Sequence, residues 1–337
     1  LDELGIAPEN TTLLIATGTH PPMPQEEFAE VVPVEILARY PVLCHDADDR
    51  DSLAYAGQTQ RGTPVWINRH FVEAEMRIAV GNIEPHQFMG FSGGVKSAVI
   101  GLGGRETITH NHSLMTDPDS KLGEFDRNPA RQDVEDMGRL VQVHFALNAI
   151  LNDHKQIVEV IAGEPQAVIR NGIPRIRDLY QVAVPAPFDL MIVSPGGHPK
   201  DISMYQSQKG LAHAALVTKN GGTIVLVAAC PEGSGSEKYE QWVAGKHILQ
   251  DVFDQFSAEG FRVGPHKAFQ IARDAARVRV LLLSEMAPDL VRKLLLRPVD
   301  SLEEGITLAQ AELPAEARIG IMPLANATIP VLNSVTD

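Results

Sequence analysis

G-N-I-E-P-H-Q-F-M-G-F-S-G-G-V-K-S-A-V-I-G-L-G-G-R-E-T-I-T-H-N-H-S-L-M, residues 81–115, decides how the rest of the chain is read. It holds three histidines (His86, His110 and His112), one lysine (Lys96) and six glycines from Gly90 to Gly104. Glycine weakens helix and strand interiors, so this density points to tight turns or close approach of backbone to a ligand. A lysine directly after such a loop suits a phosphate or an electrophilic cofactor. The segment G-F-S-G-G-V-K-S, 90–97, comes close to the P-loop of a nucleoside triphosphatase. Val95, however, stands where that motif needs its second glycine to turn the backbone around the phosphates. A phosphate-cradling loop of another kind, centred on Gly93 and Gly94, is the better reading.

Outward from this stretch, the flanking segments alternate in type. M-R-I-A-V, 76–80, reads as a strand feeding the loop, and T-P-V-W-I-N-R, 63–69, as another. T-L-L-I-A, 12–16, is a short buried strand followed by the turn T-G-T-H, which carries His20. P-Q-E-E-F-A-E-V-V, 24–32, has a proline and two glutamates suited to a helix start. Pro129 to Val143 places Val134, Met137, Leu140 and Val141 at helical spacing. Residues 145–151 and 156–162 read as strands around N-D-H, and a helix begins near Pro165.

V-P-A-P-F-D, 184–189, reads as a linker between domains. Beyond it, D-L-M-I-V-S-P-G-G-H-P-K-D, 189–201, is again strand then glycine turn, with Asp201 placed to cap the next helix. G-G-T-I-V-L-V-A-A-C, 221–230, and V-R-V-L-L-L, 278–283, are strands, while 240–257 and 285–297 read as helices. This alternation predicts a two-domain α/β protein with largely parallel sheets and an active-site cleft between the domains. The expected division is 1–185, an N-terminal catalytic domain, and 186–313, a C-terminal α/β domain. Segment 314–337 holds a strand that can pair back onto either.

Composition narrows the functional classes. The chain has 337 residues, 44% of them hydrophobic, enough for about two domains. No run of 18 apolar residues suggests a membrane span. A net charge of −14 argues against a nucleic-acid surface. Cys44 and Cys230 make no disulfide framework and read as buried thiols. With no signal peptide visible, a cytoplasmic enzyme is expected.

Loop histidines are commonly just solvated or hydrogen bonded. Here, though, several follow strands, where α/β proteins place their sites, and imidazole titrates near neutrality. The H-N-H triplet also invites a metal. In an extended segment its two rings would share a face, but on a helix they diverge by about 200°, so only one of His110 and His112 is expected to point into the site. Gln206 and Lys209, at i and i+3 beside Tyr205, share a helix face after the Gly196–Gly197 turn.

Four blocks in order, I-A-T-G-T-H (15–20), E-P-H-Q-F-M-G-F-S-G-G-V-K-S (84–97), N-H (111–112) and S-P-G-G-H-P-K-D-I-S-M-Y-Q-S-Q-K (194–209), resemble the nickel-dependent lactate racemase family. G-P-H-K-A, 264–268, is also similar. The resemblance implies a nickel-pincer nucleotide, a pyridinium-3,5-bisthiocarboxylic acid mononucleotide holding nickel. Lys96 is then its covalent thioamide anchor and His112 its protein nickel ligand. His20 and His86 become the alternating acid/base pair. Tyr205, Gln206 and Lys209 become contacts to cofactor or substrate carboxylate, with Gly93 and Gly94 in the binding loop.

The chemistry implied is racemisation or epimerisation of a small 2-hydroxy acid. One histidine takes the hydroxyl proton while the α-hydride moves to the cofactor, avoiding a carbanion that a carboxylate stabilises poorly. The planar 2-keto acid then takes the hydride back on either face. Cofactor-biosynthesis proteins are the implied partners. The family's Asp-x-x-Arg element comes before the I-A-T-G block and is not among the residues of this sequence, so either the chain is a fragment or the element is lacking; the family's proline after the lysine loop is replaced by S-A-V-I-G. Two other readings stay open: a metal-dependent hydrolase using His20, His86 and His112 with Glu84 as the nearby carboxylate, and a non-catalytic nucleotide-binding protein.

Overall fold

The computed structural model describes residues 2–333. Contacts divide the chain into two units, the first comprising residues 1–84 and 88–175, the second 85–87 and 176–337.

In the first unit β1 (Leu13–Ile15) pairs in parallel with β2 (Val42–Cys44). The stretch expected as one helix after Pro24 is instead a 3-10 turn, Gln25–Glu30, followed by the four-residue α1 (Val34–Leu37). Pro24 and Pro33 bracket it, and each forces the preceding residue out of helical geometry. β3 (Leu53–Gln58) and β4 (Pro64–Asn68) form an antiparallel hairpin, with Gly62 at φ 83° in the turn, and α2 (Arg69–Glu73) follows. Next come β5 (Ile78–Asn82), the short β6 (Pro85–His86) and β7 (Gly90–Phe91), α3 (Lys96–Val99), α4 (Arg105–Ser113) and α5 (Pro129–Val141). β8 (Phe145–Leu151) pairs in parallel with β5 and antiparallel with β9 (Ile157–Gly163). The sheets here are therefore mixed, not largely parallel: β3–β4 and β8–β9 are joined by tight turns, which only antiparallel neighbours permit. α6 (Pro165–Tyr180) carries the point where the two units divide.

The second unit is the parallel α/β layer that the alternation predicts. β10 (Gln181–Val184) leads to β11 (Phe188–Val193), α7 (Met204–Ala215) and β12 (Thr218–Val227). The helical stretch expected at 240–257 is two helices, α8 (Glu237–Val243) and α9 (Leu249–Glu259), with Gly245 at φ 79° between them. α10 (Pro265–Ala275), β13 (Arg279–Leu283), α11 (Pro288–Lys293), β14 (Arg297–Pro298) and α12 (Leu302–Gln310) precede β15 (Ile319–Met322) and β16 (Ile329–Leu332). The five-stranded sheet runs β14-β13-β12-β11-β15, every pair parallel, and β16 pairs with β10.

Its central strands are buried on both faces. Met191, Val193, Ile224, Leu226, Val280 and Leu282 join the core under α7 and α10, whereas Leu190, Val225 and Leu281 pack with Ala309 of α12. Because β12 and β15 flank β11 and their connecting helices lie on opposite faces, the order reverses at β11. Ligands of open α/β sheets gather at the carboxyl ends of strands at such a point. Among the described residues, no helix is long and apolar enough to cross a membrane.

Candidate functional site

In the first unit the glycine loop leaves β5 and is fixed from two sides. The Asn148 side chain of β8 accepts from Gly94 N at 2.7 Å. From α5, Arg131 donates to Phe91 O at 3.0 Å and Gly93 O at 3.1 Å, and pairs with Glu135 at 2.6 Å. Arg131 is fully buried; desolvation pulls its basicity down and the Glu135 carboxylate opposes that pull. Gly93 and Gly94 sit at φ 84° and 60°. A Cβ on Gly93 would lie 2.7 Å from Ile83 and 3.1 Å from Asn82 O, so the loop requires glycine both for conformation and for space.

Lys96 opens α3 directly behind this loop, its N–H bonded to Gly93 O. Beside it the Ser97 hydroxyl is buried and has no hydrogen-bond partner among the described residues. The loop bearing His20 is attached to the same segment, because Gly18 N donates to Gly101 O at 2.9 Å. His20 itself is exposed.

α4 settles the H-N-H triplet as helical, and its two rings take different partners. Asn111 donates from Nδ2 to Ala130 O and to Asp133 Oδ2, both at 2.9 Å. Its Oδ1 is therefore the acceptor, and the His112 Nδ1–H donates to it at 3.2 Å. That fixes the His112 tautomer, with the lone pair on Nε2. Thr63 gives its hydroxyl proton to Asp133 Oδ2 at 2.7 Å, so His110 Nδ1, 2.8 Å from Thr63 Oγ1, is the donor to that hydroxyl oxygen. Thr59 completes the shell of Asp133 at 2.6 Å. One buried carboxylate thus orients both histidines.

α5 can do this because Asn128 caps it, accepting from Arg131 N at 3.0 Å, while Val134, Met137 and Val141 bury its apolar stripe. Arg131, Asp133 and Glu135 flank that stripe, and helical spacing alone reads them as a solvated face. Asn111, between the two histidines, was the visible hint.

His86 lies on 85–87, the short segment that groups with the second unit. The remaining candidates lie on α7. After β11, Gly196 and Gly197 turn at φ 115° and 71°. Ala325 N bonds Ser194 O at 2.9 Å, tying this turn to the segment after β15. Asp201 does not cap α7: Ser203 holds that position, and Asp201 instead accepts from Ala229 N at 3.4 Å. Lys209 donates to Gln206 Oε1 at 2.6 Å, as expected for i and i+3 on one face. Burial pushes the Tyr205 hydroxyl up to about 12. Cys230 is buried and its thiol is pushed up to about 11 by desolvation; Cys44 is half-buried.

Among the described residues, no three His, Cys, Asp or Glu side chains are grouped to hold a metal ion. A hydrolase built on His20, His86 and His112 needs such a group. A metal held mainly by a cofactor needs only one protein donor.

Taken by fold and local chemistry, this is an α/β protein with a glycine–lysine loop and a braced imidazole in one unit and a polar helix at a sheet switch point in the other. Residues 1–123 match the lactate racemase N-terminal domain and residues 183–329 the lactate racemase C-terminal domain. The chain belongs to the lactate racemase family. It is 30% identical to lactate racemase of Lactiplantibacillus plantarum over 94% of this chain and 76% of that protein. It is 27% identical to lactate racemase of Thermoanaerobacterium thermosaccharolyticum over 93% and 75%. The solved lactate racemase apoprotein of the latter organism superposes with a TM-score of 0.92, covering 96% of this chain and 78% of that one, at 27% identity. A Thermotoga maritima protein shares the fold, with a TM-score of 0.72 at 17% identity, covering 96% and 86%.

Proposed function

We propose that this protein racemises or epimerises a small 2-hydroxy acid, lactate or a close analogue, with a nickel-pincer nucleotide tethered to Lys96. The observation that carries the reading is the bracing from α5. Arg131 holds the loop that ends at Lys96, and Asp133, through Asn111, leaves His112 Nε2 as the lone-pair nitrogen. Metal-ligating imidazoles are oriented in this way through their other nitrogen. The residues fit the group: an amine at the end of a cradle with no room for Cβ atoms, a buried hydroxyl in need of a partner, and one borderline-soft donor with a fixed tautomer.

When bound, the cofactor supplies an acceptor for the α-hydride. The chain's own groups do the rest. Lys96 is the covalent anchor and His112 the metal donor. Lys209, with Gln206 on the same face, pairs with the substrate carboxylate and fixes its orientation. His20 and His86 move the hydroxyl proton, one for each configuration, because imidazole both accepts and returns a proton near pH 7. The reading draws on residues of both units. Cytoplasmic placement and reliance on cofactor-biosynthesis proteins belong to the same proposal.

The test uses protein made in a host with the cofactor pathway. Intact mass should show an adduct that Lys96→Ala abolishes, while His112→Ala should keep the adduct and lose nickel. Enantiopure lactate and other 2-hydroxy acids should racemise, with His20→Asn or His86→Asn lowering kcat by about 10²–10⁴-fold. Absence of both adduct and racemisation from such a preparation would overturn the proposal.

A further inference from the structure

Lys267 is 2% exposed, in the first turn of α10. Among the described residues it forms no ion pair with a carboxylate. A buried lysine without a carboxylate partner is costly and uncommon, and one beside a candidate site needs a reason. Its Nζ donates to Gln208 Oε1 of α7 at 3.1 Å and sits 4.5 Å from the centre of the Tyr205 ring. Its neighbour His266 meets the same ring edge-on at 5.8 Å. Tyr205 and Gln208 are one helical turn apart, so Lys267 grips two successive points of the α7 face adjoining Gln206 and Lys209.

We propose that Lys267 is a positioning residue: an amine beneath α7 that sets the Tyr205 ring and, through it, the way this helix presents Gln206 and Lys209 to ligand. The inference rests on the reading of α7 as part of the site. Desolvation holds Lys267 well below the usual lysine range, and the cations Lys209, from α7, and Arg273, from its own helix, push the same way. From α8 and α9, which also pack on α10, no charged group acts on it among the described residues. The amine donates to Gln208 Oε1 in either charge state, and its lowered basicity eases the repulsion from Lys209. A lysine retained here only for bulk would be equally well served by methionine.

Lys267→Met keeps the length and removes the donor; Lys267→Gln keeps a donor without charge. The first measurement is ¹⁹F NMR of protein carrying 3-fluorotyrosine, with the Tyr205 signal assigned through Tyr205→Phe. The Tyr205 line is expected to shift in Lys267→Met and to return toward the wild-type position in Lys267→Gln. The second is lactate racemisation by cofactor-loaded protein. Lys267→Met is expected to raise KM about tenfold with kcat changed less than threefold, and Lys267→Gln to recover most of that loss. A Tyr205 line and KM that stay at wild-type values in Lys267→Met would overturn the proposal. So would a Lys267→Gln variant that behaves like Lys267→Met in both measurements. Should wild-type protein racemise no 2-hydroxy acid, the functional reading fails, while the ¹⁹F comparison still decides the role of Lys267. If Lys267→Met does not fold, the pair wild type and Lys267→Gln decides: matching Tyr205 lines support the donor role, and a displaced line overturns it.

Discussion

The two units hold their candidate residues by opposite means. The first braces the loop before Lys96 through Arg131 and Asn148, and His112 through Asn111, which Asp133 in turn holds, all of them buried polar groups. The second mounts α7 on a parallel sheet whose strands are apolar on both faces. Hydrogen bonds fix direction and fail when one partner is lost; apolar packing fixes position and degrades gradually. Under the proposed function, a ring that aims one nitrogen at a metal is served by the first kind of support. A helix that must stand at the end of a sheet needs the second.

The comparison breaks most visibly at Asp133. Asp133→Ala leaves Thr59, Thr63 and Asn111 without their common acceptor and should cost about 4 kcal/mol. Hydrogen exchange should report that loss in α4 and α5 while β11, β12 and β13 keep their protection. Equal loss in both units would show that the support is not local.

A pH test sharpens the second half. Burial lowers His213, on α7, to about 4, against the hydrogen bond to Ala325 O that raises it. Unfolded histidine titrates near 6.5. Above that value both states are neutral and nothing is lost. As pH falls from about 6.5 toward 4, the unfolded state takes up a proton that the folded state refuses, and stability declines by roughly 3 kcal/mol at most. Urea unfolding of His213→Gln at pH 7 and pH 4.5 should lack this part of the decline; a slope identical to wild type would refute it.

The smallest effect is expected at Gly94→Ala. With φ at 60°, and a Cβ 3.1 Å from Arg131 Nη2 and 3.3 Å from Ile169 Cβ, the change should cost about 2 kcal/mol by denaturant unfolding. In cofactor-loaded protein it should also reduce the mass adduct on Lys96. An unchanged midpoint would mean the loop relaxes without its glycine.

Much of this was legible in the residues. Strand periods and glycine turns placed β5, β8, β11 and β12, because a buried strand and a glycine turn leave local marks. The loop histidines and Lys96 stood out for the same reason. The hairpin β3–β4 was missed, although Arg61–Gly62 sits at its turn, and the first unit's sheets are mixed as a result. The bracing residues were invisible because Arg131, Asp133 and Glu135 have the composition of a solvated helix face; only tertiary contact shows that the face is covered. Lys267 was hidden by the same logic, a lysine in a short block that spacing does not distinguish from surface.

The shared carboxylate beneath the H-N-H triplet has a further implication for anyone dissecting this protein by substitution. Because His110 reaches Asp133 through Thr63 and His112 reaches it through Asn111, the two rings answer to one anchor, and removing either leaves an acceptor, Thr63 Oγ1 or Asn111 Oδ1, unfilled on a group that still bonds that anchor. Single changes at these positions are therefore not independent experiments. The quantity to measure is the departure from additivity in the double variant, and its sign tells whether the anchor steadies the pair jointly or is rationed between them.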